Sequence, residues 1–282
     1  MSVLVFGKTG QVASELAALA PNAQFLSRAE ADLADPQACA DIIAKLRPTA
    51  VINAAAYTAV DRAEENEDEA RVINGDSPAA MAVACKALDV PFVHISTDYV
   101  FDGEGQGAFR PVDPTGPASA YGRTKLVGED ALRDIGGRYA ILRTSWVFSA
   151  HGNNFLKTML RLGAERDSLT IVADQIGGPT PAASIAQTCL TMAEALAVDP
   201  SRAGTYHLSG APDASWADFA REIFTCAGLS TVVEDIPTSA YPTPAVRPLN
   251  SRLDNASLLA QFGVSRPDWK AATAAIVKEL KS

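Results

Sequence analysis

A chain of 282 residues with 48% hydrophobic and 20% charged side chains is that of a folded globular protein, and at roughly 100 to 200 residues per domain it makes one large α/β domain or two closely joined ones. Thirty-three acids against 24 Lys and Arg leave a net charge of −9, which opposes binding to nucleic acid or to an anionic membrane but permits one local basic pocket. Four cysteines, Cys39, Cys85, Cys189 and Cys226, lack any CxxC pair or short spacing and point to buried thiols in a reducing compartment rather than to zinc or disulfides.

The chain enters an apolar strand after two residues, without a basic leader, and no apolar run approaches the ~18 residues of a membrane span, so a cytoplasmic protein is expected. Short β-branched runs then alternate with longer amphipathic stretches, the pattern of βαβ units and a parallel sheet. Strands are predicted at Val3 to Phe6, Gln24 to Leu26, Ala50 to Asn53, Phe92 to Ser96 and Tyr139 to Arg143. Asp61 to Arg71, with six acids and two arginines, followed by Ala-rich Ala79 to Leu88, reads as one helix with a solvated acidic entrance. Beyond about residue 145 prolines such as Pro179, Pro212, Pro242 and Pro248 divide shorter elements. The expected division is therefore a Rossmann-type, doubly wound NAD(P)-binding domain over 1–145, with segments near 165–210 returning to it, and a smaller, mainly substrate-binding lobe over 146–282.

The first strand runs into Gly7-Lys8-Thr9-Gly10-Gln11-Val12-Ala13 and a helix. Glycines serve where the backbone turns sharply against a pyrophosphate, whose charge then sits over the helix N-terminus. Ala13 stands in place of a third glycine. Gly7, Thr9, Gly10, Gln11 and Val12 are candidate cofactor contacts. The second strand ends in Ser27-Arg28, and an arginine there suits the 2′-phosphate of NADP, so Arg28, helped by Ser27 and Lys8, favours NADPH with NADH possible; a plain surface arginine is the alternative. Asp32 and Leu33 follow where they would flank the adenine. Ala54, Ala55 and Ala56 end the third strand in small side chains that let a cofactor lie close, or simply pack.

Thr97 ends the fourth strand, and Tyr121 and Lys125 stand at i and i+4, one face of a helix. Hydride addition to a ketone builds charge on oxygen that a proton must quench, and a phenol beside an ammonium is expected to titrate nearer neutrality. Lys125 would also hold the nicotinamide ribose, and Thr97 would donate a second hydrogen bond to the carbonyl oxygen. The YxxxK spacing alone is common; its order after the glycine loop, the NAAA strand and the hydroxyl strand end makes it a catalytic set.

These residues resemble the extended short-chain dehydrogenase/reductase superfamily and, within it, the dTDP-4-dehydrorhamnose reductases. The likeness runs through FGKTGQV (6–12), NAAAYTAVD (53–61), HISTDYVFDG (94–103), YGRTKLVGE (121–129), RTSWVF (143–148), GNNF (152–155) and SAYPTPAVRPLNSRLD (239–254). The resemblance implies reduction of a dTDP-linked 4-keto-6-deoxy sugar to dTDP-L-rhamnose by NAD(P)H. It implies Thr97, Tyr121 and Lys125 as the catalytic triad with Tyr121 the proton donor, Gly10, Gln11, Val12, Asp32, Leu33, Ala55, Ala56 and Tyr57 as cofactor contacts, and Trp146 with Thr97 and Asp98 as sugar contacts. Arg28 stands where many members have an acid.

Trp146 offers a flat face and an indole N–H to a sugar, or belongs to the core. Asn153 and Asn154 precede a helix and either bind substrate hydroxyls or cap it. Arg247 is read as a diphosphate ligand, with a structural ion pair as the alternative. His94 and His207 are read as structural, and His151 is set aside. Some relatives use a divalent metal such as Mg at a subunit contact; Glu15 matches one position, but a single glutamate makes no site. A homodimer is possible. Two further readings keep the fold: a sugar-nucleotide epimerase or dehydratase, and a non-catalytic regulatory subunit.

Overall fold

The computed structural model describes residues 2–281. Its first half is built from β1 (Val3–Phe6), α1 (Gln11–Leu19), β2 (Gln24–Leu26), α2 (Pro36–Leu46), β3 (Ala50–Asn53), α3 (Val60–Ala63), α4 (Glu67–Arg71), α5 (Ser77–Leu88), β4 (Phe92–Thr97), α6 (Ala120–Ile135) and β5 (Tyr139–Thr144). The second half adds β6 (Val147–Phe148), α7 (Phe155–Glu165), β7 (Ser168–Val172), β8 (Ile176–Gly177), β9 (Thr180–Pro181), α8 (Ala182–Val198), β10 (Gly204–Leu208), β11 (Ala214–Ser215), α9 (Trp216–Ala227), β12 (Val232–Ile236), β13 (Asn250–Ser251), α10 (Ala256–Phe262) and α11 (Trp269–Lys281). The five predicted strands form where the apolar runs place them, with β4 and β5 one residue longer.

Six strands make one parallel sheet in the order β10-β5-β4-β3-β1-β2. Strands buried on both faces read as continuous apolar runs, as VLVF and AVIN do. Alternate residues feed two cores. Val5, Ile52, Val93 and Leu142 pack with Leu16 of α1 and Ile185, Cys189 and Met192 of α8; Leu4, Phe6, Val51 and Ile141 pack with Ile43 of α2, Met81 of α5 and Leu132 of α6. The chain leaves β1 for β2 on one side and returns for β3 on the other, so the carboxyl ends of β1 and β3 flank a switch point where the loops diverge.

A third core lies outside the sheet. The parallel pair β7–β12 packs with α7, α9 and α11 around Phe148, Leu156, Phe219, Ile223 and Trp269. Between β7 and β12 the chain revisits the main sheet: α8 covers it and β10 pairs with β5 from Gly204↔Ala140 to Leu208↔Thr144.

The acidic stretch differs from the single solvated helix expected. It is two short helices, α3 and α4, joined to α5 through a π-helical turn at Val72–Asp76. Half of its six acids hold the tertiary structure: Asp61 Oδ2 accepts from Arg247 Nη2 at 2.7 Å, Glu64 Oε1 accepts the Ala120 N–H at 2.9 Å, and Glu67 Oε2 accepts from Arg123 Nη2 at 2.7 Å. The π turn aims Asn74 back at the loop after β3, where its side chain accepts the Tyr57 N–H at 2.8 Å and donates to Tyr57 O at 3.1 Å. Gly128 of α6 packs on this turn; a Cβ there would fall 2.3 Å from Asn74 O.

The cysteines are unpaired, with Cys39, Cys85 and Cys189 buried. Among the described residues no helix is long and apolar enough to cross a membrane.

Candidate active site

Gly7 takes φ +111°, and a Cβ on it would lie 3.3 Å from the Ala54 carbonyl carbon, so glycine permits both the turn and the close approach of β1's loop to β3's. Gly10 is the N-cap of α1 in extended backbone with no side-chain cap, and nothing lies within 4 Å of where its Cβ would be. The first-turn N–H groups of α1 are thus presented to open space, with the helix dipole favouring an anion.

Two connected depressions follow. The larger, about 660 Å³, is lined by Thr9, Gly10, Gln11, Val12, Ala54, Ala55, Ala56, Thr97, Asp98, Tyr99, Tyr121, Lys125, Trp146 and Asn154, among others. The smaller, about 310 Å³, shares Thr9, Gly10 and Ala54 to Ala56 with it and extends over Gly7, Lys8, Ser27, Arg28, Asp32 and Leu33. Most candidates chosen from the sequence meet in this one groove. Tyr57 and Arg247 line neither depression: the Tyr57 ring packs inward beside Ala63 and Ala120, and Arg247 is held behind Tyr99 by Asp61.

Arg28 is exposed and reaches Asp32, Nε to Oδ2 3.3 Å. Ser27 donates its N–H and its hydroxyl to Glu30, which lies 3.9 Å from Lys8 Nζ. Gln11 ties the glycine loop to the second lobe; its Oε1 accepts from Ser149 Oγ at 3.1 Å and from Asn154 Nδ2 at 2.9 Å. Asn154 caps α7, its Oδ1 accepting the Lys157 N–H at 3.1 Å, so of its two readings the structure realises the cap. Exposed His151 lies 3.9 Å from Glu15, and among the described residues no three His, Cys, Asp or Glu side chains gather as a metal site.

At the carboxyl end of β4, Thr97 donates to Asp98 Oδ1 at 3.1 Å and accepts the Tyr99 N–H at 3.2 Å. Burial pushes the Asp98 carboxyl up to about 6, against the bond from Thr97 that favours its charge. Tyr121 faces Thr97 and stands edge-on to Tyr99, centroids 5.6 Å apart. The sequence expectation that an ammonium draws the Tyr121 phenol toward neutrality is not met: burial, with Asp98 and Tyr99 nearby, pushes it above the ordinary tyrosine range. Lys125 is turned elsewhere, Nζ 2.7 Å from Ile95 O and 3.0 Å from His94 Nε2, and burial lowers it to about 8.

This alignment depends on Gly122. A Cβ there would fall 2.1 Å from Tyr99 O, so only glycine lets α6 sit close enough to bring Tyr121 against Thr97. Trp146 holds φ 49°, a left-handed backbone uncommon for a large side chain, and stacks on Trp216 with centroids 3.8 Å apart and planes 14° apart. One indole face is therefore covered by protein. Trp216, Ser145, Phe155 and the pairing of His94 with Asn53 were not singled out from the sequence, since no local pattern marks a side chain whose partner lies 33 to 70 residues away.

The full chain, residues 1–282, matches the family described as RmlD substrate binding domain. A dTDP-4-dehydrorhamnose reductase of Burkholderia thailandensis is 46% identical over 298 residues, covering 100% of both chains. The chain belongs to the dTDP-4-dehydrorhamnose reductase family. Solved members of the family superpose over its whole length: one from Clostridium acetobutylicum at TM-score 0.93 and 36% identity, covering 100% of both chains. A second, from Bacillus anthracis in complex with NADP, has TM-score 0.91 and 34% identity, covering 99% of this chain and 100% of that one.

Proposed function

We propose that this protein reduces the 4-keto group of dTDP-4-dehydro-6-deoxy-L-mannose with NADPH, giving dTDP-L-rhamnose for L-rhamnose biosynthesis. The observation that carries the reading is the meeting of Thr97, Tyr121 and Lys125 in one groove at the sheet's switch point, in a chain 46% identical along its length to a dTDP-4-dehydrorhamnose reductase.

The groove fits a dinucleotide. Its glycine-lined middle and the uncapped start of α1 suit a pyrophosphate, and the narrower arm between Leu33 and Arg28 suits an adenosine. Arg28 and Lys8 supply positive charge where a 2′-phosphate would lie, favouring NADPH over NADH, as does the NADP held by the Bacillus anthracis relative. When bound, the nicotinamide supplies the hydride.

The chain's own groups orient the ketone and deliver the proton. Tyr121, held protonated at neutral pH by burial, is the acid, and the Thr97 hydroxyl adds a second hydrogen bond to the same oxygen. Thr144 Oγ1, buried without a partner among the described residues, lies in the groove wall facing the same region and suits a polar substrate. Trp146, which lines the groove, contacts the sugar ring, and Asp98 takes a sugar hydroxyl. Arg247 binds the diphosphate only by exchanging Asp61 for it. In this reading 1–145, with α8 and β10, form the cofactor domain and 146–282 mainly the substrate lobe; the unpaired thiols support a cytoplasmic setting.

The test is NADPH oxidation with dTDP-4-dehydrorhamnose, beside NADH and a no-sugar control. Sugar-dependent oxidation yielding dTDP-L-rhamnose is expected. Tyr121→Phe lowers kcat by about 10²-fold or more with NADPH binding retained. Absence of turnover in folded protein that binds NADPH would refute the assigned substrate, and undiminished turnover in Tyr121→Phe would remove Tyr121 from its role.

A further inference from the structure

Behind Lys125 lies a buried chain of polar atoms whose hydrogens can be counted. The lysine is 1% exposed and His94 fully buried, with Nζ 3.0 Å from His94 Nε2. Across the ring, Asn53 of the neighbouring strand places Nδ2 3.2 Å from His94 Nδ1. The Asn53 amide has one satisfactory orientation, because its Oδ1 accepts the Ala55 N–H at 3.2 Å and the reverse would set its NH₂ against that donor. Nδ2 therefore donates to Nδ1, which must hold a lone pair, and in a neutral imidazole the hydrogen then resides on Nε2, aimed at Lys125. An ammonium has only donors and would oppose it. A neutral amine accepts it and keeps two N–H groups, one for Ile95 O at 2.7 Å and one for the groove.

We propose that Asn53 and His94 are positioning residues that act through Lys125, directing a ring N–H at Nζ so that the lysine gives up its proton near the working pH. The inference rests on the reading of Lys125 as the groove cation that would hold the nicotinamide ribose: the site loses that positive charge when Nζ gives up its proton, so the alkaline fall in kcat follows Lys125. Burial foremost, with the Lys125 charge, holds His94 well below the usual imidazole range and thus neutral. Of the ionisable groups nearby, Glu129, one turn along α6, acts on Lys125 and has its own charge engaged by Arg143 of β5 and by Arg133, and Asp98, Tyr99 and Tyr121 line the same groove as Lys125. Glu129 favours the ammonium and so opposes the histidine.

Asn53→Asp tests this in the full-length protein. The carboxylate still accepts the Ala55 N–H but now also accepts from Nδ1, moving the ring hydrogen there and turning Nε2 into an acceptor for the ammonium. The expected results are a shift of the alkaline limb of kcat to higher pH by about one unit, tenfold in the lysine's acid constant, and the same shift in the titration of carbon-13-labelled Lys125, assigned through Lys125→Met. Nitrogen-15 spectra of the His94 ring are expected to show the Nε2–H tautomer in the wild type and Nδ1–H in the variant. An Nδ1–H ring in the wild type, or a Lys125 titration unmoved in the variant, overturns the proposal; the wild-type tautomer decides it alone if the variant does not fold. The expected spectra in a protein that turns over no dTDP-4-dehydrorhamnose would sink the substrate assignment and leave this inference standing.

Discussion

Gly122→Ala isolates the contact that sets the reacting geometry without touching a reacting group. The added methyl would lie 2.1 Å from Tyr99 O and 2.9 Å from Pro117 Cβ. Carbon–oxygen contacts settle at about 3.3 Å, so α6 must retreat from the turn after β4 by about 1 Å. Neither neighbour yields cheaply, because Tyr99 O belongs to the strand-end turn that holds Thr97, and Pro117 is rigid. Moving Tyr121 that far from Thr97 is expected to cost about 10²-fold in kcat, the usual penalty of a 1 Å misplacement of a catalytic group. Overpacking of this kind costs about 1–3 kcal/mol of stability. Steady-state NADPH oxidation and a urea unfolding curve read the two effects separately. A variant with wild-type kcat, folded and saturable with NADPH, would show that the Tyr121–Thr97 approach does not govern turnover.

Three further outcomes follow from other sites. Asp98 titrates at about 6 in the folded protein against 3.8 for the free side chain, so folding favours its protonated form, and the stability this gives at low pH is lost as pH rises from about 4 to 6. Asp98→Asn should remove a change of about 3 kcal/mol across that window, seen as the wild-type minus variant difference in unfolding free energy; parallel curves would refute the burial argument. Glu129→Gln leaves the 1% exposed Arg143 guanidinium without its carboxylate, 2.6 Å away in the wild type, and is expected to destabilise by about 3–5 kcal/mol by chemical denaturation. Arg28→Ala should raise the Kd for NADPH with little change for NADH by fluorescence titration, whereas equal losses would mean general damage to the narrow arm.

What the sequence determined is what lies close along the chain. β1, Gly7, Gly10 and α1 follow one another within 19 residues, and the i, i+4 spacing of Tyr121 and Lys125 is fixed by helical geometry once α6 forms. The first five strands were legible for the same reason: burial on both faces writes itself as an unbroken apolar run. Tertiary structure decided what those side chains touch. Lys125 was read as sharing one helix face with Tyr121, and the tertiary structure sets its Nζ against His94 Nε2 and Ile95 O, because β4 passes beneath α6. Acids read as a solvated entrance became anchors, Asp61 holding Arg247 from 186 residues away. Trp146 was visible as a tryptophan after a strand, but the covering of one face by Trp216 was not. Local spacing follows from bond geometry that every chain shares, whereas these contacts depend on how sheet, helices and lobe pack against one another, and no residue carries that information within its own segment.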